Sequence, residues 1–155
     1  MASPRLLYGR QSQPGSWYVI TTVCLDRIPI LESAQAAQLV SDEIRRVPPD
    51  SAESHAWVVM PDHLHWLMEL RAGTHLSRLV QSLKSRSAIA INRSRGQSGP
   101  IWQSGFYDHQ LRADEDLRAQ ARYIVANPVR RGIVNRIEDY PHWWCRWVQS
   151  TADLD

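Results

Sequence analysis

The chain has 155 residues, enough for one domain whose hydrophobic core needs no disulfide to be stable. Its composition, 43% hydrophobic and 22% charged, excludes a disordered chain, and no apolar run reaches the length of a membrane span or a signal peptide. Cys24 and Cys145 are isolated, without Cys-x-x-Cys spacing, and do not indicate a cysteine-based zinc site. We therefore expect a single cytoplasmic domain over residues 1–155, and the net charge of +2 by itself indicates no partner.

The first half of the chain predicts a strand, a helix and two further strands, after an irregular arm over residues 1–15. The strands are rich in β-branched and aromatic residues, and the helix carries apolar residues at helical spacing until two prolines end it. A Pro-Asp turn joins the last two strands as an antiparallel pair. These four elements are predicted at Trp17–Cys24, Ser33–Arg46, Ser54–Met60 and His63–Leu70.

The second half predicts a long helix at Thr74–Asn92, a strand at Phe106–Arg112, a final helix, and a C-terminal tail over residues 128–155. Three acidic residues, 114–116, cap the final helix, which must end near Asn127 because a proline follows. The order β-α-β-β-α-β with an added helix is the split βαβ arrangement. It predicts a ferredoxin-like α+β fold, with an antiparallel sheet and helices on one face.

Two histidines, His63 and His65, begin the strand that follows the Pro-Asp turn. Residues two apart in a strand share one face, so both imidazoles converge while Leu64 and Trp66 point the other way. Converging neutral imidazoles bind divalent metal, and two of them need at least one further ligand. The alternative is a pair of polar strand residues without metal.

Tyr123 and Asn127 stand four residues apart on the final helix and share one side of it, at the flank of its buried stripe. A tyrosine hydroxyl can act as a covalent nucleophile, and an asparagine oxygen is a suitable ligand for Mg²⁺ or Mn²⁺. The alternative is a packing tyrosine and a helix-terminating asparagine.

Two residues of the fourth strand are further candidates for the surroundings of a metal. On a strand neighbouring His65, His109 could orient the metal ligands or contact phosphate, or it could be a core histidine. Asp108 could hydrogen-bond a ligand imidazole, although strand alternation points it away from His109.

Basic residues are concentrated in one block of the sequence. No acidic residue occurs between Glu69 and Asp108, and the helix predicted there carries basic side chains beside its buried face. Such a block next to a predicted active strand suits an anionic ligand, with nucleic acid as the first candidate, whereas the alternative is a solvated helix face. The candidate DNA contacts, which include two arginines after the tyrosine, are Lys84, Arg86, Arg93, Arg130 and Arg131.

His63-Leu64-His65 together with Tyr123 resembles the histidine-hydrophobe-histidine single-strand DNA endonucleases that use one tyrosine. Further stretches are similar to one branch of these enzymes, the REP-associated tyrosine transposases, and the likeness covers nearly the whole chain. Arg131 stands where this resemblance leads us to expect a small residue, which adds a charge near the tyrosine. The similar stretches are Gly15–Thr22, Met60–His65, Ile101–His109, Tyr123–Arg130 and Tyr140–Trp144.

The resemblance implies a ferredoxin-like, metal-dependent enzyme that recognises REP hairpins in single-stranded DNA and cuts beside them. His63, His65 and Asn127 would ligate Mg²⁺ or Mn²⁺. Tyr123 would attack phosphorus, giving a 5′-phosphotyrosine and a free 3′-hydroxyl that allows strand transfer. We expect DNA and no membrane as the partner. The sequence leaves the oligomeric state open and favours a monomer over a dimer, because no exposed apolar strand requires a second copy.

Two other functions stay open. The first is a hairpin-binding protein with little or no turnover, which the intact histidine pair and Tyr123 argue against. The second is a small metallohydrolase that uses Tyr123 as an acid. The acid-free basic helix and the lack of a clear carboxylate base disfavour it.

Overall fold

A computed structural model of the protein describes residues 6–7, 15–112 and 115–148. Within these residues, six strands form one antiparallel sheet in the order β1-β5-β2-β4-β3-β6. The strands are β1 Leu6–Leu7, β2 Trp17–Val23, β3 Ala52–Val59, β4 His63–Leu70, β5 Phe106–Gln110 and β6 Trp143–Cys145. The helices are α1 Ala34–Arg45, α2 Leu76–Arg95, α3 Leu117–Val125 and α4 Asn127–Arg130.

The four central strands have the predicted split βαβ topology. Helix α1 connects β2 to β3, α2 connects β4 to β5, and the strands lie in the order β5-β2-β4-β3. This confirms the predicted α+β class. Strands β1 and β6 extend the sheet at its two edges, where the sequence predicted an irregular arm and a tail. Strands of two and three residues are too short to show a period of two, so they leave no pattern to read.

Alternation along the strands divides the core between the two faces of the sheet. On the α1–α2 face, residues such as Ile20, Leu64 and Trp66 pack against Val40 and Val80 of the two helices. The opposite α3 face holds a second core. It contains Ala56, Val58, Leu67, Ala121, Ile124, Val125 and Tyr140. The prediction of helices on one face only is wrong, because α3 covers the other face.

Side-chain caps set the starts of two helices. Ser33 Oγ accepts a hydrogen bond from the backbone N–H of Ala36 at 3.3 Å, at the start of α1. Asp116 Oδ1 accepts from the N–H groups of Arg118 and Ala119 at 3.0 and 3.1 Å, at the start of α3. These contacts satisfy amide groups that have no partner inside a helix. The predicted acidic cap is therefore Asp116, and residue 114 lies outside the described residues.

The break between α3 and α4 lies where the proline predicts it. Helix α3 ends at Val125, and α4 begins at Asn127 with Pro128 in its first turn. Proline has no N–H to continue the hydrogen bonding of α3, but its fixed φ suits the start of a new helix. In the part of the chain described here, no helix is long and apolar enough to cross a membrane.

Candidate active site

His63 and His65 lie on the α3 face of β4. Strand β4 pairs with β2 in a register that places Val23 opposite His63 and Thr21 opposite His65. The two imidazole centroids are 4.7 Å apart with their planes at 78°. The intervening Leu64 is fully buried in the core of the α1–α2 face, as the alternation predicts. The two imidazoles therefore converge on one side of the sheet.

Each imidazole has an oxygen partner on the same ring atom. Asp62 Oδ1 lies 2.6 Å from Nδ1 of His63, and Thr21 Oγ1 lies 2.8 Å from Nδ1 of His65. These contacts engage Nδ1, so Nε2 is the nitrogen that remains for a ligand on both rings. Hydrogen bonding of the distal ring nitrogen to a carboxylate or hydroxyl is the usual way in which proteins orient a metal-binding histidine.

Burial keeps both imidazoles in the neutral form that can bind a metal. Burial lowers the pKa of His65 to about 3, and His63 and the arginines at positions 130 and 131 act in the same direction. Burial also lowers the pKa of His63, against the opposing effect of the Asp62 carboxylate. A neutral imidazole has a free nitrogen lone pair, so this donor set fits a divalent cation near pH 7.

Tyr123 lies on α3 with 63% of its surface exposed. The guanidinium carbon of Arg130 lies 3.7 Å from the centroid of its ring, and Nη1 of Arg130 donates a hydrogen bond to the backbone carbonyl of Tyr123. The charges of Arg130 and Arg131 are also close enough to His65 to lower its pKa. Arg130 therefore contacts the exposed tyrosine and carries a charge that also acts on His65.

Asn127 is the first residue of α4 and is 5% exposed. The sequence placed Asn127 and Tyr123 on one side of a continuous helix. In the structure Ala126 separates α3 from α4, and the tyrosine faces solvent whereas the asparagine is buried.

Comparison with known proteins identifies the family to which this chain belongs. The family described as Transposase IS200 like matches residues 15–127, which is most of the chain and includes the histidine pair, the tyrosine and Asn127. The chain belongs to the IS200-like transposase family. The transposase is 30% identical to the REP-associated tyrosine transposase of Escherichia coli (strain K12) over 129 residues, which cover 82% of this chain and 74% of that relative.

Two solved structures are similar to this transposase. A REP-associated tyrosine transposase bound to a REP hairpin is 29% identical, with a TM-score of 0.71, and the match covers 88% of this chain and 81% of that one. A structure from Deinococcus radiodurans is 22% identical, with a TM-score of 0.51 and coverage of 79% and 97%, and shows the fold alone. The resemblance to the REP-associated tyrosine transposases is confirmed, and with it the prediction of a DNA-transposing enzyme.

The structure corrects the surroundings predicted for the histidine pair. Strand β2 lies between β5 and β4, so β5 is not a neighbour of His65. Asp108 is buried opposite Ile20 on the α1–α2 face, away from the imidazoles. His109 is exposed, not a core residue, and its Nε2 lies 3.4 Å from Glu115 Oε2. The carboxylate beside the pair is Asp62, which the sequence indicated only as a turn residue.

The transposase uses Lys84 as a structural residue, which contradicts the predicted DNA contact. Lys84 is 6% exposed, and its Nζ donates to the carbonyl oxygens of Gln103 and Gly105 at 2.7 and 2.6 Å. Burial lowers the pKa of this ammonium group. Arg86 and Arg93 are exposed, but α2 covers the face of the sheet opposite the histidine pair.

A second cluster of potential ligands escaped the sequence analysis. Among the described residues, ligand atoms of Glu53, His55 and Glu69 lie within 4.8 Å of one another on the α3 face. Arg71 contacts both carboxylates, and Arg146 lies 2.6 Å from Glu53 Oε1 and 3.1 Å from His55 Nδ1. A cation would have to displace two arginines, so we interpret the cluster as an ion-pair network.

Proposed function

We propose that this transposase is a metal-dependent single-strand DNA endonuclease and strand transferase that acts beside REP-type hairpins. The observation that carries the proposal is the pair of neutral imidazoles, each held through Nδ1, on the face of the sheet that is covered by α3, the helix that bears Tyr123. The name of the REP-associated tyrosine transposase that the chain resembles, and the solved structure of such an enzyme bound to a REP hairpin, support the substrate.

Three side chains are proposed to hold the cation. Nε2 of His63 and Nε2 of His65 would supply two ligands, and the amide oxygen of the buried Asn127 a third. An oxygen ligand favours Mg²⁺ or Mn²⁺. When bound, the cation would polarise a non-bridging oxygen of the scissile phosphate. Asp62, whose carboxylate accepts from Nδ1–H, would hold both the orientation and the tautomer of His63. Thr21 would hold the orientation of His65.

Tyr123 is proposed as the nucleophile. Its hydroxyl oxygen forms a bond to phosphorus in line with the bond to the 3′ oxygen, which breaks. The phenolic proton passes to solvent and the departing 3′ oxygen takes up a proton. The product is a 5′-phosphotyrosine on the enzyme and a free 3′-hydroxyl on the other fragment. Attack by another 3′-hydroxyl reverses the step and joins the strands without an external energy source.

The basic residues divide into two groups in this proposal. Arg130 and Arg131 lie beside the imidazole pair and would contact phosphates at the cut. Arg86 and Arg93 lie on the other side of the sheet and would contact a different part of the hairpin. Since Tyr123 must approach phosphorus in line, a flexible single strand is the expected substrate, and a stacked duplex of the same sequence should be cut little or not at all.

One chain is proposed to carry the complete site. Arg130 of α4 and Arg131, which follows it, act on His65 of the same chain, which supports a tyrosine that works in cis and a monomeric enzyme. The arrangement also supports the single domain expected from the sequence.

The test is a covalent adduct between the protein and a hairpin oligonucleotide labelled at its 3′ end, the end that stays with the phosphotyrosine. Tyr123→Phe keeps the ring and should abolish the adduct while folding and hairpin binding survive. Tyr107→Phe, a change to another tyrosine on the α3 face, is the matched control and should form the adduct normally.

An adduct that persists in Tyr123→Phe would refute the assignment of the nucleophile. Hairpin binding by the wild-type protein without any adduct or cleavage, in the presence of Mg²⁺ or Mn²⁺, would instead favour the hairpin-binding protein without turnover.

A further inference from the structure

The side chain of Tyr123 has little packing to hold it in place. It is 63% exposed, whereas its neighbours Ile124 and Val125 are 5% and 0% exposed in the core of the α3 face. An exposed aromatic side chain moves among several rotamers. A nucleophile has to reach phosphorus in line, and a misplacement of ~1 Å can lower a rate about 100-fold. Some other contact must therefore restrict this ring.

Arg130 contacts Tyr123 at two separate points. Its guanidinium carbon lies 3.7 Å from the centroid of the tyrosine ring, well within the range of a cation–π contact. Its Nη1 donates a hydrogen bond to the backbone carbonyl oxygen of the same residue. The first contact restricts the ring of Tyr123. The second fixes the guanidinium of Arg130 to the backbone from which that ring extends.

The break between α3 and α4 makes the second contact possible. Tyr123 lies in the last turn of α3, where backbone carbonyl groups lack the amide donors of a following turn. Arg130 lies seven residues after Tyr123, on the short helix that begins after this break, and supplies a side-chain donor in their place. A planar guanidinium can stack on a ring and donate within its own plane at once, which a lysine ammonium cannot.

We infer that Arg130 is a positioning residue for the nucleophile: it clamps the exposed ring of Tyr123 in the orientation from which the hydroxyl attacks the scissile phosphate. This inference rests on the proposed role of Tyr123 and deepens it. The clamp acts on the rate of attack once DNA is bound, whereas a simple phosphate contact would act on DNA affinity.

The experiment measures the single-turnover rate of adduct formation at saturating hairpin DNA, together with hairpin affinity. Arg130→Lys keeps the positive charge but loses the planar stack and the fork of donors. We expect this variant to form the adduct about tenfold more slowly, with affinity within about twofold of wild type. Arg130→Met also loses the charge, and we expect a larger loss of rate together with weaker binding.

Arg122→Met is the matched control, because it removes one exposed positive charge at the residue next to Tyr123. Adjacent residues of a helix do not face each other, so the ring of Tyr123 should be unaffected and the rate should stay within about twofold of wild type. Thermal unfolding of every variant checks the fold.

A wild-type rate for Arg130→Lys at saturating DNA would overturn the inference, since charge alone would then suffice. The inference would also be overturned if the slower rate of Arg130→Met returned to the wild-type rate at higher DNA concentrations. Both results leave the proposed function standing as long as the wild-type adduct maps to Tyr123. An adduct that maps to another residue refutes the proposed function, and the positioning role falls with it.

Discussion

The two faces of the sheet are built from the same strands but have different roles. On β4, Leu64 and Trp66 are completely buried against the helices of the α1–α2 face, and the residues between and beside them form the imidazole pair of the α3 face. The α1–α2 face uses its buried polar groups for structure: Lys84 binds two loop carbonyls, and Ser87 Oγ accepts from the indole of Trp102 at 3.0 Å.

The α3 face holds its polar groups differently. Its imidazoles are oriented through Nδ1, which leaves Nε2 for a ligand. Its tyrosine is exposed and is contacted by the guanidinium of an arginine. A strand with a period of two can thus carry stability on one side and chemistry on the other. Substitutions on the two faces should accordingly separate unfolding free energy from cleavage.

The largest effect is expected at the imidazole pair. His63→Ala with His65→Ala should abolish cleavage, because the cation that would polarise the phosphate loses two ligands, a loss of several kcal/mol of transition-state stabilisation. Hairpin binding should weaken far less, since arginines supply much of that affinity. Gel assays of cleavage and binding measure both quantities. Full cleavage in excess EDTA would show that no metal is involved.

The opposite result is expected for Lys84 on the α1–α2 face. Lys84→Met keeps most of the side chain but leaves the carbonyls of Gln103 and Gly105 without their donor, which should lower the unfolding free energy by about 1–3 kcal/mol. Arg86→Met, a change to an exposed arginine on the same helix, should alter it by less than about 0.5 kcal/mol. Urea unfolding measures the difference. Equal stability of the two variants would contradict the structural role of Lys84.

The same two variants separate stability from DNA contact. Arg86→Met should flatten the salt dependence of hairpin binding by a log–log slope of about 0.7 for each phosphate that the variant no longer neutralises, and Lys84→Met should leave that slope unchanged. A flatter slope in the lysine variant would return Lys84 to the DNA path.

An effect of pH on stability is expected from His55. Burial lowers its pKa from 6.5 to about 4, against Glu53, which raises it, and with Arg146 and Arg71, which lower it. Between pH 6.5 and pH 4 the unfolded chain binds the proton and the folded chain does not, so stability falls as the pH falls through this window. The contribution amounts to roughly 2 kcal/mol between pH 7 and pH 4.5.

His55→Phe should remove that contribution while keeping the stack between Trp17 and Trp147, whose ring centroids lie 4.0 and 5.5 Å from the imidazole. Urea unfolding at the two pH values should show a smaller difference for the variant than for wild type. An equal difference would assign the pH dependence to other groups.

The sequence was most informative where a pattern repeats along one element. Alternation predicted the bounds of β4 and the opposite orientations of His63 and Leu64, and helical spacing predicted the buried stripe of α2. Prediction from the sequence failed where a contact depends on a distant loop. Lys84 lies at the flank of its helix, and only the folded loop at Gln103–Gly105 shows that the amine points inward.

The same limit explains why the sequence did not predict the hydrogen-bond partners of the imidazoles. Thr21 is 44 residues from His65, and their contact follows from strand register. Asp62 contacts His63 through the geometry of a turn, which the Pro-Asp pair alone does not specify. The clamp on Tyr123 likewise depends on a helix break that the proline predicted and on a side-chain direction that it did not.

The pairing of β2 with β4 also has a kinetic consequence during synthesis. Thr21 precedes His65 by 44 positions and can orient it only after the chain between them has closed into the sheet, and Tyr123 and Arg130 leave the ribosome later still. A nascent chain therefore exposes its first strands well before Tyr123 can lie on the same face of the sheet as an oriented imidazole pair. The order of elements therefore delays completion of the proposed site until α3 and α4 have been synthesised.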